Sequence, residues 1–152
     1  MYINISLVAV FATVGNVLST ELLTMRPKDA KFVARRNETL TLSFSQRKTT
    51  NAVNVTYDAW VSRTSPDMTL LHRRIGDESR CFGNCCIDFR ETKRKYYLKI
   101  SISRVSEEHY GLYAAKMKVI DQEKIFVQEG EASFQIIKRG SKNGNLCECQ
   151  RR

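Results

Sequence analysis

Two short segments separated by a turn constrain the fold of this chain more than any other feature of its sequence. Residues 98–102, Leu-Lys-Ile-Ser-Ile, alternate apolar and polar side chains, a pattern typical of a half-buried β-strand. After a turn, Gly111 and Tyr113 predict the start of a second strand. The same alternation recurs at residues 40–44 and 132–136. The chain is therefore predicted to be all-β.

The spacing between these two segments resembles that of strands E and F in an immunoglobulin-like sandwich. In that fold a corner tyrosine lies two residues before the second cysteine of the inter-sheet disulfide. Tyr113 matches that tyrosine, whereas Ala115 occupies the cysteine position. The first cysteine position falls on Phe44, and Trp60 resembles the tryptophan of strand C. The resemblance covers residues 22–139. It implies a two-sheet Greek-key sandwich of the variable type that lacks its usual disulfide.

The space left by that disulfide must be filled in another way, because a gap between the sheets is a destabilising cavity. A large ring at Phe44 against the methyl group of Ala115 conserves much of the volume. We therefore expect Phe44, Ala115, Trp60 and Tyr113 to lie together in the core. The resemblance also implies a C′ strand at residues 69–72.

The length of 152 residues allows one domain of ordinary size. Residues 3–18 are mostly apolar but too few for a membrane span, which needs about 20. We interpret residues 1–19 as a signal peptide, residues 20–139 as the immunoglobulin-like domain and residues 140–152 as a flexible, cysteine-containing tail. The expected location is secreted and extracellular.

Two glycosylation acceptor sequences agree with secretion of the protein. Asn37 and Asn54 each begin an Asn-x-Thr triplet, the first at the start of strand B and the second between strands B and C. We predict that both are accessible and glycosylated.

Five cysteines are present, and none occupies a position of the family's disulfide; they are Cys81, Cys85, Cys86, Cys147 and Cys149. Their spacings do not match the Cys-x-x-Cys pairs of zinc sites. We expect local disulfides that pin the loop between strands C′ and D or fasten the tail to it. Because five is odd, one thiol lacks an intrachain partner, which favours a disulfide-linked homodimer or a bond to another chain through Cys147 or Cys149.

The formal net charge of +9 comes largely from short basic groups, such as residues 93–95. Such groups are typical of solvated strand edges. The alternative is an acidic partner, for example a sulfated glycan. Nucleic acid is not an expected partner, since no recognised binding motif is present.

An enzymatic function finds little support in the sequence. Only two histidines occur, His72 and His109, and no phosphate-binding loop, metalloprotease motif or nucleophile elbow is present. We therefore predict that the chain is not an enzyme and that it uses no cofactor or catalytic metal.

Binding is the remaining function, and strand alternation predicts which residues form the surface. On strand F, Tyr113 and Ala115 should face the core. On strand C, Trp60 should face the core. The predicted outward face then consists of Val61, Arg63, Leu112, Ala114, Lys116 and Lys118. It resembles the GFCC′ sheet face through which variable-type adhesion and receptor domains meet their partners.

The first hypothesis is therefore a secreted immunoglobulin-like recognition module that binds a protein, including another immunoglobulin-like domain. Its missing disulfide is similar to that of the outer domains of the signalling lymphocytic activation molecule family. Two alternatives stay open: a basic secreted binder of sulfated glycans, and a disulfide-linked subunit of an oligomeric receptor or decoy.

Overall fold

Ten β-strands and one short 3-10 helix form the part of the chain described by the computed structural model, residues 23–123 and 125–140; at Leu23 and Phe126 only the backbone is described. The first five strands are β1 (Leu23–Thr24), β2 (Ala30–Ala34), β3 (Leu40–Arg47), β4 (Thr56–Ser65) and β5 (Thr69–Ile75). They are followed by β6 (Cys81–Phe82), β7 (Cys85–Glu91), β8 (Lys95–Ile102), the 3-10 helix (Glu107–His109), β9 (Gly111–Ile120) and β10 (Phe126–Lys138). The predicted signal peptide, and the predicted tail after residue 140, lie outside the described residues.

The strands form two sheets. One follows the order β1-β10-β9-β4-β5, with β2 also paired to β10; the other follows β3-β8-β7-β6. The strand at the predicted C′ position, β5, lies beside β4 in the larger sheet, which is the arrangement of a variable-type domain. The chain has a variable-type immunoglobulin-like fold, and the predicted all-β sandwich is confirmed.

Alternating side chains of the central strands form the core between the sheets. The even-numbered residues of β8 and the odd-numbered residues of β9 are buried; they are Tyr96, Leu98, Ile100, Ile102, Tyr113, Ala115, Met117 and Val119. Full burial of one large aliphatic side chain contributes about 1.5–3 kcal/mol. This alternation is the pattern that the sequence predicts for strands E and F.

Aromatic rings fill the region where related domains have a disulfide. Phe44 and Ala115 are both fully buried in the same core. The ring of Phe44 on β3 lies 5.3 Å from that of Phe134 and 6.2 Å from that of Phe32, which both belong to the sheet of Ala115. Phe134 also stacks on Tyr113 at 5.1 Å. The direct contact of the Phe44 ring with the Ala115 methyl group stays a prediction.

The predicted inward direction of Trp60 is wrong. Its neighbours Ala59 and Val61 are fully buried, whereas Trp60 is only partly buried and faces away from the core. The inner side of β4 also carries Tyr57, whose ring stacks on Phe89 of the opposite sheet at 4.6 Å. Beside that ring, the two small side chains leave room for the rings of the other strands.

The turn between β8 and β9 contains a tyrosine corner. The hydroxyl group of Tyr113 donates a hydrogen bond of 2.7 Å to the carbonyl oxygen of His109. Gly111, at the start of β9, has a φ of +147°, and a Cβ atom there would collide with the carbonyl oxygen of Ser65. Burial raises the pKa of Tyr113 to about 12, so the hydroxyl keeps its proton and remains a donor.

Replacement of Tyr113 by Phe should lower the free energy of unfolding by about 1–2 kcal/mol, because it leaves a buried carbonyl oxygen without its donor. Urea unfolding followed by circular dichroism measures the change. Tyr97→Phe is the matched control, since the Tyr97 hydroxyl makes no hydrogen bond among the described residues. Equal stability of the Tyr113 variant and the wild type would show that the corner does not stabilise the fold.

His109 is held as a neutral acceptor in the same corner. Its ring is 6% exposed, and its Nδ1 accepts a hydrogen bond of 2.9 Å from the backbone N–H of Ser106. Burial lowers the pKa of His109 below its ordinary value of 6.5, and the nearby charge of Arg63 lowers it further, whereas Glu108 opposes the shift.

A lowered pKa predicts that the domain loses stability as the pH falls below about 6.5. In that range the unfolded chain binds a proton at His109 more readily than the folded one, so acidification favours unfolding. Urea unfolding at about pH 7.5 and about pH 5 should show a larger loss for the wild type than for His109→Gln. If both proteins lose the same stability on acidification, His109 is not the source of the pH dependence.

Candidate protein-binding face

The outer surface of the six-stranded sheet carries a row of large polar and aromatic side chains. In the strand register, Trp60 on β4 lies opposite Arg73 on β5 and opposite Lys116 on β9. Lys116 in turn lies opposite Glu131 on β10. Directly opposite residues point to the same side of a sheet, so all four project outward.

Three cationic groups surround the indole ring of Trp60. The Arg73 guanidinium carbon and the Lys118 Nζ each lie 5.5 Å from the ring, and the Lys116 Nζ lies 6.0 Å away. A cation over the face of tryptophan at about 6 Å or less is attracted by the ring quadrupole. These contacts stabilise an aromatic side chain that is incompletely covered by the protein.

Acidic groups neutralise part of this positive charge. Asp58 accepts two hydrogen bonds from Arg73, with Nε–Oδ1 at 2.9 Å and Nη2–Oδ2 at 2.7 Å. Lys116 lies 3.5 Å from a carboxylate oxygen of Glu131. Lys118 forms no ion pair with any of the described residues, although Asp58 on β4 and Glu129 on β10 lie directly opposite it in the strand register.

The other end of the same surface is apolar. Leu70 on β5 and Leu112 on β9 are 57% and 46% exposed. Leu70 and the smaller Ala114 on β9 lie on either side of Ser62 on β4. A groove of about 430 Å³ runs beside Leu112 toward β2. We call this surface the Trp60 face; its members are Trp60, Leu70, Arg73, Leu112, Ala114, Lys116 and Lys118.

Four residues of the predicted outward face lie on the Trp60 face: Leu112, Ala114, Lys116 and Lys118. The assignment of Val61 is wrong, since its side chain is fully buried. Arg63 is also misplaced. It is partly buried at one end of the sandwich, where its Nη1 donates to the carbonyl oxygen of Glu108.

Sequence reasoning missed three members of this surface: Leu70, Arg73 and, at the centre, Trp60. A signal was present, because Asp58 and Ser62 share its alternation and are polar, whereas Ala59 and Val61 are apolar. The periodicity of the strand itself therefore places Trp60 outside, against the position implied by the family resemblance.

The cysteines of the described residues have two different environments. Cys81 and Cys86 form a disulfide between the facing strands β6 and β7, with their Cα atoms 4.0 Å apart. The prediction of Cys85 as a disulfide cysteine is wrong, because it is a buried free thiol. Burial raises its pKa to about 11, which makes it unreactive. Cys147 and Cys149 lie outside the described residues, so the interchain disulfide through either of them stays a prediction.

Both predicted glycosylation sites are exposed to solvent. Asn37 lies in the turn before β3, and Asn54 lies in the loop before β4. Their glycosylation stays a prediction. Within residues 23–123 and 125–140, no group of three or more His, Cys, Asp or Glu side chains is placed to hold a metal ion. In the same part of the chain no helix has the length and apolar character needed to cross a membrane.

No known sequence family matches the chain, and neither does any curated protein at the level of sequence. Several solved structures are similar to it. The BTLA ectodomain has 13% sequence identity and a TM-score of 0.47, with 77% of this chain and 98% of that chain covered. NK cell receptor NKp44 has 10% identity and a TM-score of 0.44, with 72% and 99% covered.

A third similar structure is Dpr2 Ig1–Ig2 in complex with DIP-Theta Ig1–Ig3, with 11% identity and a TM-score of 0.49. Here 73% of this chain is covered, but only 30% of that chain. The fold assignment rests on the strand order and the tyrosine corner. The narrower likeness to the signalling lymphocytic activation molecule family stays a prediction.

The position of Trp60 predicts how its fluorescence responds to ionic quenchers, since it is the only tryptophan in the sequence. Iodide should quench the native protein more efficiently than caesium, because cations surround the ring. One unit charge 5.5 Å away in water changes the local ion concentration about threefold. Lys118→Glu should therefore reduce iodide quenching about twofold or more. Protection from both ions until the protein unfolds would instead place the indole in the core.

Proposed function

We propose that this chain is an extracellular recognition module that binds a protein partner through the Trp60 face. The observation that carries this proposal is the partly exposed indole at the centre of a sheet surface, surrounded by cations. Tryptophan and arginine are enriched among the residues that dominate binding energy, and such residues cluster near the middle of an interface.

The distribution of polarity on the Trp60 face suits an interface. Leu70, Leu112 and Ala114 offer apolar area that a partner can cover, and Trp60 offers a rigid anchor beside them. The neighbouring cations and carboxylates of this surface favour a partner with a complementary pattern of charge, because complementary charges steer association and exclude wrong partners. Another immunoglobulin-like domain with a complementary sheet face is one such partner.

Three features support an extracellular location. The disulfide between Cys81 and Cys86 is typical of oxidising compartments. The acceptor residues Asn37 and Asn54 are exposed in connections between strands, where they are accessible to glycosylation. The predicted signal peptide at residues 1–19 provides the route of secretion.

The environments of the two histidines favour binding without catalysis. His109 is buried and accepts a backbone hydrogen bond. His72 is 6% exposed, and its Nε2 lies 3.1 Å from the carbonyl oxygen of Arg80. The hydroxyl oxygen of Ser106 lies 3.0 Å from His109 Nδ1, but both histidines are buried, whereas general base catalysis requires a ring that a substrate can reach.

Trp60→Ala should weaken partner binding by about 30-fold or more, the effect of truncating an interface residue that contributes at least 2 kcal/mol. The secreted domain is made as a multimer and tested against an array of extracellular protein domains that includes the domain itself. Affinities of the hits are then measured for the monomer. Binding should also change the emission of Trp60, which reports directly on this face.

Phe82→Ala is the matched control, since Phe82 is an aromatic residue that is 71% exposed on β6 of the opposite sheet. Its affinity should stay within about twofold of the wild type, because it lies outside the proposed interface. Thermal melts establish that both variants are folded. Full binding by a folded Trp60→Ala protein would rule out the Trp60 face as the interface.

A further inference from the structure

A second surface feature lies on the four-stranded sheet. A groove of about 310 Å³ opens at the edge of β3, where the first strand of the chain crosses it. Its charged lining residues are all cationic, and none of the described residues that line it is acidic. The full lining is Thr24, Arg26, Ser45, Gln46, Arg47, Lys48, Thr49 and Lys95. We call this feature the basic groove.

Strand pairing brings these cations together from distant parts of the sequence. Arg47 on β3 lies directly opposite Lys95 on β8. Arg26 lies opposite Ser45, with two backbone hydrogen bonds of 2.8 Å between them. Because Ser45 and Arg47 are two residues apart on one strand, Arg26, Arg47 and Lys95 all project from the outer face.

The pairing of Arg47 with Lys95 is unfavourable for folding, since like charges at directly opposite positions repel each other. Neither residue forms an ion pair within the described part of the chain, and neither does Arg26. Lys48 differs, because it pairs with Glu91 and lies 5.0 Å from the ring of Tyr96. Three exposed cations therefore converge without a counter-charge from the described protein, and a bound anion would relieve their repulsion.

Further positive charge continues from the groove across the sheet. Tyr97 lies opposite Ser45, and Arg90 lies opposite Tyr97 with its guanidinium 4.5 Å from the tyrosine ring. At about 4.8 Å between neighbouring strands, Arg26 and Arg90 stand about 14 Å apart. A row of this length matches a linear polyanion better than a single small anion.

We propose that the basic groove and the row toward Arg90 bind a sulfated glycosaminoglycan. The shallow, exposed cations suit sulfate groups repeated along a flexible chain, which attract them without the need for a closed pocket. Among the described residues of the row, the partly buried Tyr97 is the only aromatic ring, so the surface lacks the series of stacking platforms that single-stranded nucleic acid requires. This inference uses the proposed extracellular location but not the proposed protein interface, which lies on the other sheet.

The test uses Arg47→Glu and immobilised heparin at about physiological salt. Affinity should fall about fivefold or more, because one attraction becomes a repulsion. The same substitution places a glutamate opposite Lys95, so the melting temperature should stay the same or rise. A loss of binding without a loss of stability separates ligand recognition from folding.

Arg36→Glu is the control, because Arg36 is exposed in the turn before β3 and the variant has the same net charge as Arg47→Glu. Its heparin affinity should change by less than about twofold. Equal losses in the two variants would mean that only total charge matters and would overturn the proposal.

Two further arms identify the ligand. Heparin from which the sulfates have been removed should bind much more weakly, and vesicles containing phosphatidylserine should not reproduce the dependence on Arg47. Undiminished binding of the desulfated chain, or a vesicle affinity that depends on Arg47 as strongly, would overturn the assignment to sulfated glycans. Trp60→Ala should keep full heparin affinity, which distinguishes this proposal from the protein interface.

Discussion

The packing of aromatic rings between the two sheets is the constraint on which the rest of this structure depends. A disulfide ties two strands together covalently and contributes about 2–4 kcal/mol, largely through the unfolded chain. Phe44 and Phe134 join the same sheets only by contact, and deletion of one buried phenylalanine ring typically costs about 3–5 kcal/mol. The disulfide and the packed rings therefore contribute similar free energies to stability. The difference is that packing depends on shape, so the positions of Phe32, Phe44, Tyr113 and Phe134 must all be kept.

This way of filling the core is coupled to the composition of the Trp60 face. Beside the rings supplied by β3 and β10, the inner side of β4 has the small side chains of Ala59 and Val61, and the alternation of the strand directs Trp60 outward. An indole left partly in water loses some of its burial energy, and the three cations around it recover part of that loss through cation–π attraction. The same strand thus contributes small side chains to the core and a large anchor to the surface.

Much of the fold could be predicted from sequence, because strands β8 and β9 follow a strict alternation around a tyrosine corner. The orientation of β4 could not be taken from the family resemblance. A shift of one residue exchanges the two faces of a strand, and the resemblance does not fix the position of Trp60 on β4 to within one residue. The basic groove was also beyond sequence analysis. Residues 93–95 indicated charge, but Arg26 and Arg47 join Lys95 only through strand register.

The positive charge of the chain is arranged differently on its two outer faces, which bears on how they would act together. On the Trp60 face, Asp58 and Glu131 each hold a cation in place, so the surface is patterned and suits selective recognition. In the basic groove, Arg26, Arg47 and Lys95 have no such partners among the described residues. A cluster of this kind suits a polyanion with repeated negative charges. Because the faces belong to opposite sheets, a glycan on one does not cover the other. A glycan-bound domain would then present Trp60 to partners at a raised local concentration, with no contact between the two ligands needed.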